Sequence, residues 1–203
     1  MPFDDFSPDG SEVTAPVPHW YDFVCPFCYI GQDRSRILAE RGFTLLTIPL
    51  PIHMEIPLEG AAAGPREGPM YEFLEREARA AGLPLHWPAR LPNSLYALTA
   101  AEWVRRHEPG AFPSLHAGLF DAHFVRGEDL GDQAVVEGHA VASGVDKQAM
   151  RAAMSTSGPA RDVQRSGGFA ERFGVTGTPA WLVGSRLVSG LRPRSEFEEF
   201  RAA

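Results

Sequence analysis

The chain has 203 residues, 44% of them hydrophobic and 22% charged, with a formal net charge of -7. That length and balance suit a soluble globular protein able to bury its own core, and the acidic surplus, with no run of basic residues, argues against a nucleic-acid partner. No apolar stretch reaches membrane-spanning length, and a lone pair of cysteines points to chemistry or metal binding rather than to stapling.

Residues 1–16, MPFDDFSPDGSEVTAP, are acidic, polar and rich in Pro and Gly. They read as a disordered tail and lack the basic-then-apolar order of a secretory leader, so a cytoplasmic location is expected. Residues 17–24, VPHWYDFV, are aromatic and β-branched and predict a strand. A helix is expected next. It opens on Pro26, whose missing N–H is not needed at a first helical position, and stops at Gly42. Residues 43–50, FTLLTIPL, are apolar on both parities and predict a buried central strand, parallel to the first.

The run 51–69, dense in Pro and Gly, reads as a loop. Helical spacing then places Tyr71, Leu74 and Ala78 on one face over 70–82. It does the same for Tyr96, Ala100 and Trp103 over 93–107, and for Phe112, Leu115, Leu119 and Ala122 over 111–126. Asp132 and Asp146 are expected N-caps of two further helices. Pro159 opens another, with Val163, Ala170 and Phe173 inward and Gly174 as its stop. Trp181–Val183 and Arg186–Val188 are expected as a hairpin across Gly184-Ser185, in a type II′ turn, and 194–202 as a closing helix.

Cys25-Pro26-Phe27-Cys28 falls where a strand ends and a helix begins. Unpaired N–H groups and the positive end of the helix dipole favour a thiolate there, and the three-residue spacing brings the second sulfur back over the first. Cys25 is therefore expected to attack a disulfide and Cys28 to resolve the mixed disulfide. The competing readings are half of a zinc site or two inert buried cysteines. A zinc site needs more ligands, and none of the seven histidines supplies a matched His spacing.

With its strand running into WYDFVCPFCYIG, the sequence resembles the DsbA-like thioredoxin superfamily, and within it the FrnE-like branch related to the 2-hydroxychromene-2-carboxylate isomerases. SLYALTAAEW, LFDAHFVRGEDLGD and RFGVTGTPAWLVG agree with further segments of that branch. The resemblance implies an α/β thioredoxin fold with a large α-helical insertion: a tail over 1–16, first half over 17–50, helical insertion over 51–158 and second half over 159–203. It implies a cis Thr178-Pro179 peptide facing the cysteines, with Pro26, Phe27, Thr178 and Pro179 bordering the substrate. Two departures stand out. Thr178 replaces the usual Val, with a hydroxyl that either hydrogen-bonds near the sulfurs or simply packs, and Phe27 replaces the His of strongly oxidising Pro-His enzymes, so a less acidic Cys25 is expected.

The implied activity is that of a cytoplasmic thiol–disulfide oxidoreductase of reductase or isomerase type, acting on protein or small-molecule disulfides and thiols as monomer or homodimer. It needs no metal and no cofactor beyond its own redox-active disulfide. Glutathione is a candidate co-substrate, and a thioredoxin-type reductant a candidate partner. The alternatives are a glutathione-dependent isomerase or transferase, in which Ser usually stands at the position of Cys25, and a non-catalytic chaperone. Asp22 is read either as a proton relay to Cys28 or as a structural hydrogen-bond acceptor. His19 is read as structural, sharing a strand face with Tyr21 and Phe23. His116 and His123, seven apart, are core or surface residues before they are metal ligands, and Asp121 and Asp129 complete no ligand set. The 57–69 loop is either a rim of the dithiol or a linker, and Phe27 with Trp181 is a candidate exposed apolar groove.

Overall fold

The computed structural model describes residues 16–202. The expected N-terminal tail therefore lies outside the described residues except for Pro16. The first strand, β1 (Val17–Tyr21), runs parallel to β2 (Leu45–Pro49), with the helix α1 (Pro26–Glu40) crossing between them. Two later strands, β5 (Ala180–Val183) and β6 (Arg186–Ser189), complete a four-stranded mixed sheet in the order β2-β1-β5-β6. β5 pairs antiparallel with β1, joining His19 to Trp181 and Trp20 to Ala180.

Two expectations for these strands are corrected. β1 ends at Tyr21 rather than at residue 24, because the Asp22 carboxylate accepts from the amide of Val24 and the Asp22 carbonyl accepts from the amide of Cys25, which turns the chain. β2 is an edge strand rather than a central one: β5 occupies the other side of β1, and Leu45, Leu46 and Thr47 stay half-buried. The hairpin forms as expected. Gly184 has φ +61° while Ser185 does not take positive φ, and that combination fits the II′ turn and not the I′ turn.

Between β2 and the helix α7 (Gly158–Arg172) lie α2 (Pro69–Ala81), α3 (Leu95–His107), α4 (Phe112–Phe124), α5 (Gln133–Ala142) and α6 (Lys147–Met154). The Pro- and Gly-rich loop holds one short strand, β3 (Ala61–Ala62), paired with β4 (Arg90–Leu91). Asp132 and Asp146 cap α5 and α6 through their side chains, as their types require. The closing helix α8 (Arg194–Glu198) is shorter than expected. The largest core cluster joins Tyr21, Phe23, Cys25, Cys28 and Tyr29 to Leu74, Leu98, Leu119 and Phe120, so the cysteines sit where the sheet meets the intervening helices. Among the described residues no helix is long and apolar enough to cross a membrane.

Candidate active site

Cys25 is the N-cap of α1, with extended backbone angles (φ -84°, ψ 113°), and Pro26 follows at the first helical position. Its carbonyl accepts from the amides of Cys28 and Tyr29, closing the first turn and bringing Cys28 back beneath it. Both cysteines are free thiols and both are buried, Cys25 to 3% exposure. Pro26 and Phe27 beside them are half-buried.

The opposite wall comes from the far end of the chain. The Thr178-Pro179 peptide is cis, as the resemblance implied. The Cys25 thiol donates to the Thr178 carbonyl at 3.5 Å, and the amide of Gly190 holds the Pro179 carbonyl at 2.8 Å. The Thr178 hydroxyl is buried without a hydrogen-bond partner, and it favours the thiolate form of both sulfurs. Cys28 Sγ accepts from the amide of Asp22 at 3.5 Å.

The two sulfurs are electrostatically unequal. Burial pushes the Cys25 thiol up, but hydrogen bonds from the thiol and amide of Cys28 and from Thr178 outweigh it, and Cys25 ends below the ordinary thiol range. Burial pushes Cys28 well up, and its bond to Cys25 and the Cys25 charge push it further. One thiolate braced by a neighbouring thiol, at a helix N-terminus, is the arrangement that thiol–disulfide exchange uses.

Asp22 binds backbone. Its carboxylate accepts from the amides of Val24 (3.2 Å) and Ile52 (3.0 Å), tying the end of β1 to the chain leaving β2, and burial raises its pKa. The structural-acceptor reading holds for its carboxylate, while its amide reaches Cys28. Gly31, one turn beyond Cys28, escaped the sequence reading. A Cβ there would lie 3.2 Å from the Trp181 ring and 3.5 Å from Pro179, so the missing side chain lets α1 press on the cis-Pro loop. A glycine inside a helix, costing about 1 kcal/mol against alanine, was the available signal.

The candidate groove at Phe27 and Trp181 is corrected. Trp181 is fully buried, stacked on His19 at 4.6 Å, and it donates from Nε1 to Ser35 Oγ. His19 donates from Nδ1 to the Ala180 carbonyl, a structural role as expected. His116 packs among Tyr21, Phe112 and Phe120, while His123 stacks edge-on against Phe124. Asp129 accepts from the amide of Gly131. No group of three or more His, Cys, Asp or Glu among the described residues is placed to hold a metal ion. Within the 57–69 loop, Gly60 and Ala63 bond to Pro57 and Ala89.

The DSBA-like thioredoxin domain model matches residues 17–200. The chain belongs to that family. Its fold is similar to the crystal structure of a "probable DsbA oxidoreductase" from Streptomyces coelicolor, at TM-score 0.78 and 22% identity over 91% of this chain and 87% of the other. It is also similar to a 2-hydroxychromene-2-carboxylate isomerase, at TM-score 0.68 and 19% identity over 86% and 88%. A third similar structure is the cytosolic disulfide reductase DsbM from Pseudomonas aeruginosa with glutathione, at TM-score 0.64 and 17% identity over 91% and 93%. Both branches of the stated resemblance, DsbA-like oxidoreductases and the isomerase, are represented among these neighbours.

Proposed function

We propose that this DsbA-like protein cycles Cys25 and Cys28 between dithiol and disulfide as a cytoplasmic, FrnE-like disulfide reductase or isomerase. The observation that carries the reading is the unequal sulfur pair at the N-terminus of α1, opposed by the Thr178 carbonyl. The Cys25 thiolate attacks one sulfur of a substrate disulfide, forms a mixed disulfide and expels the other half as a thiolate. Cys28 then loses its proton and attacks Cys25 Sγ. The second half leaves as a thiolate and the Cys25–Cys28 disulfide remains. The substrate gains two electrons and the protein loses two, which glutathione or a thioredoxin-type dithiol returns. Pro26, Phe27, Thr178 and Pro179 border the substrate sulfur.

The named cytosolic disulfide reductase among the structural neighbours supports the direction, the compartment and glutathione as a thiol partner. The second thiol counts against the glutathione-dependent isomerase alternative, since activating a bound glutathione needs no resolving cysteine. Titration in glutathione buffers, with thiols trapped and weighed by mass spectrometry, tests the proposal. A reversible two-electron transition is expected, abolished by Cys25→Ser, with Cys28→Ser trapping a mixed disulfide. Cysteines inert across the whole glutathione range would overturn it.

A further inference from the structure

A second concave site lies away from the dithiol. A cavity of about 680 Å³ opens along the free edge of β2, between α1 and the N-terminal end of α4. That volume is the size of a small-molecule site. The pairing of β2 turns part of its backbone toward this cavity. Thr44 O and Leu50 N bond to β1, so residues of the other parity, Thr47 among them, direct their backbone groups outward.

Two guanidiniums line the cavity, from Arg36 and Arg105, and no carboxylate lines it. Each guanidinium is held from behind by a fully buried acid. Arg36 bonds Asp33 through Nη2 alone, and Arg105 grips Glu102 through Nε and Nη2. Arg36 thus keeps Nε and Nη1, and Arg105 keeps Nη1, without a protein partner among the described residues. Positive charge is in surplus: Arg34, Arg36 and Arg194 all bond Asp33, with Glu77 as the one further acid in that group. Leu45, Leu46, Phe112 and the ring of His116, whose Nε2 is buried without a hydrogen-bond partner, form an apolar stretch of the remaining wall, which also carries the polar side chains of Gln32 and Ser35.

We infer that this cavity binds a small organic carboxylate with an aromatic or branched apolar body. The guanidiniums and the outward backbone of β2 receive the carboxylate; Phe112, Leu45 and the His116 ring receive the body. The site is independent of the dithiol chemistry proposed above.

The test uses 4-(trifluoromethyl)phenylacetate, followed by fluorine NMR on the full chain, beside its neutral amide. The carboxylate should bind in a saturable manner, and the amide about tenfold more weakly. Arg36→Gln, at a largely exposed side chain, should weaken the carboxylate about five- to tenfold and leave the amide unchanged. Pro113→Glu places a like charge on the rim, at a helix start that tolerates an acid, and should also weaken only the carboxylate. Ala117→Trp, at an exposed rim position, should block both ligands. Joint replacement of Cys25 and Cys28 by Ser should change nothing, which separates this site from the redox reading. No binding at millimolar probe, equal binding of acid and amide, or wild-type affinity in both Pro113→Glu and Ala117→Trp would overturn the inference.

Discussion

Cys25 Sγ lies 3.5 Å from the carbonyl oxygen of Thr178, 153 residues further along the chain. Neither residue could hold the other without the antiparallel pairing of β1 and β5, which seats Trp20 against Ala180 and so delivers the cis-Pro loop to the start of α1. The dithiol is a product of sheet order as much as of the CxxC spacing.

The bracing of Cys25 by Cys28 gives a first prediction. The Cys28 thiol lowers the Cys25 pKa, while Cys28 itself is pushed well up. Iodoacetamide at pH 7 should therefore modify Cys25 in preference to Cys28. Cys28→Ala removes the thiol donor but keeps the backbone amide, so the labelling midpoint of Cys25 should move to higher pH. Rate against pH, read site by site by mass spectrometry, measures both. An unchanged midpoint in Cys28→Ala would show that the thiol does not brace the thiolate.

Thr178 offers the second. Its hydroxyl lowers the pKa of both sulfurs, so it stabilises the reduced form. Thr178→Val keeps the shape and deletes the donor. A net hydrogen bond of about 0.5–1.5 kcal/mol corresponds to a potential about 10–30 mV more negative in the variant. Equilibration against glutathione reads the shift, and a move in the positive direction would contradict this account.

How far the sequence disclosed this site can be argued from the same residues. Cys25, Pro26 and Cys28 were legible because N-cap position, proline at the first turn and i,i+3 spacing are local properties. Asp132, Asp146 and the Gly184-Ser185 turn were legible for the same reason. The place of β2 was not, since FTLLTIPL is apolar enough for either a central or an edge strand and only the return of β5 settles it. The burial of Trp181 beneath His19 and the capture of the Ile52 amide by Asp22 depend on partners 162 and 30 positions away in the chain, and no local periodicity encodes them.

Gly31 carries the third prediction. Its missing Cβ would sit 3.2 Å from the Trp181 ring, closer than ordinary van der Waals contact, and Pro179 lies just behind. Gly31→Val should push α1 from the cis-Pro loop, at a cost of about 1–3 kcal/mol from overpacking. Denaturant unfolding measures that loss. Because the displaced loop carries Thr178, the Cys25 labelling midpoint should shift as well, whereas an exposed helix position such as Ala39→Val should leave it in place.

Acid sensitivity is the last. His19, His116 and His123 are held neutral by burial, with pKa values lowered from 6.5 to about 4, about 3 and about 4. A depressed histidine binds its proton more tightly in the unfolded chain, so the native state is fully favoured above pH 6.5 and loses ground as the pH falls toward 4. Each group costs up to about 1.4 kcal/mol per pH unit within that window, and the three together about 4. Asp22, whose pKa burial raises, acts in the opposite sense, one group against three. The melting temperature should thus drop steeply below pH 6. His116→Phe fits the ring-lined site between Phe112 and Phe120 without a titrating nitrogen, and should remove about a third of that slope. Circular dichroism melts of both proteins from pH 8 to 4.5 decide it: parallel curves would mean that His116 does not report on folding through its proton.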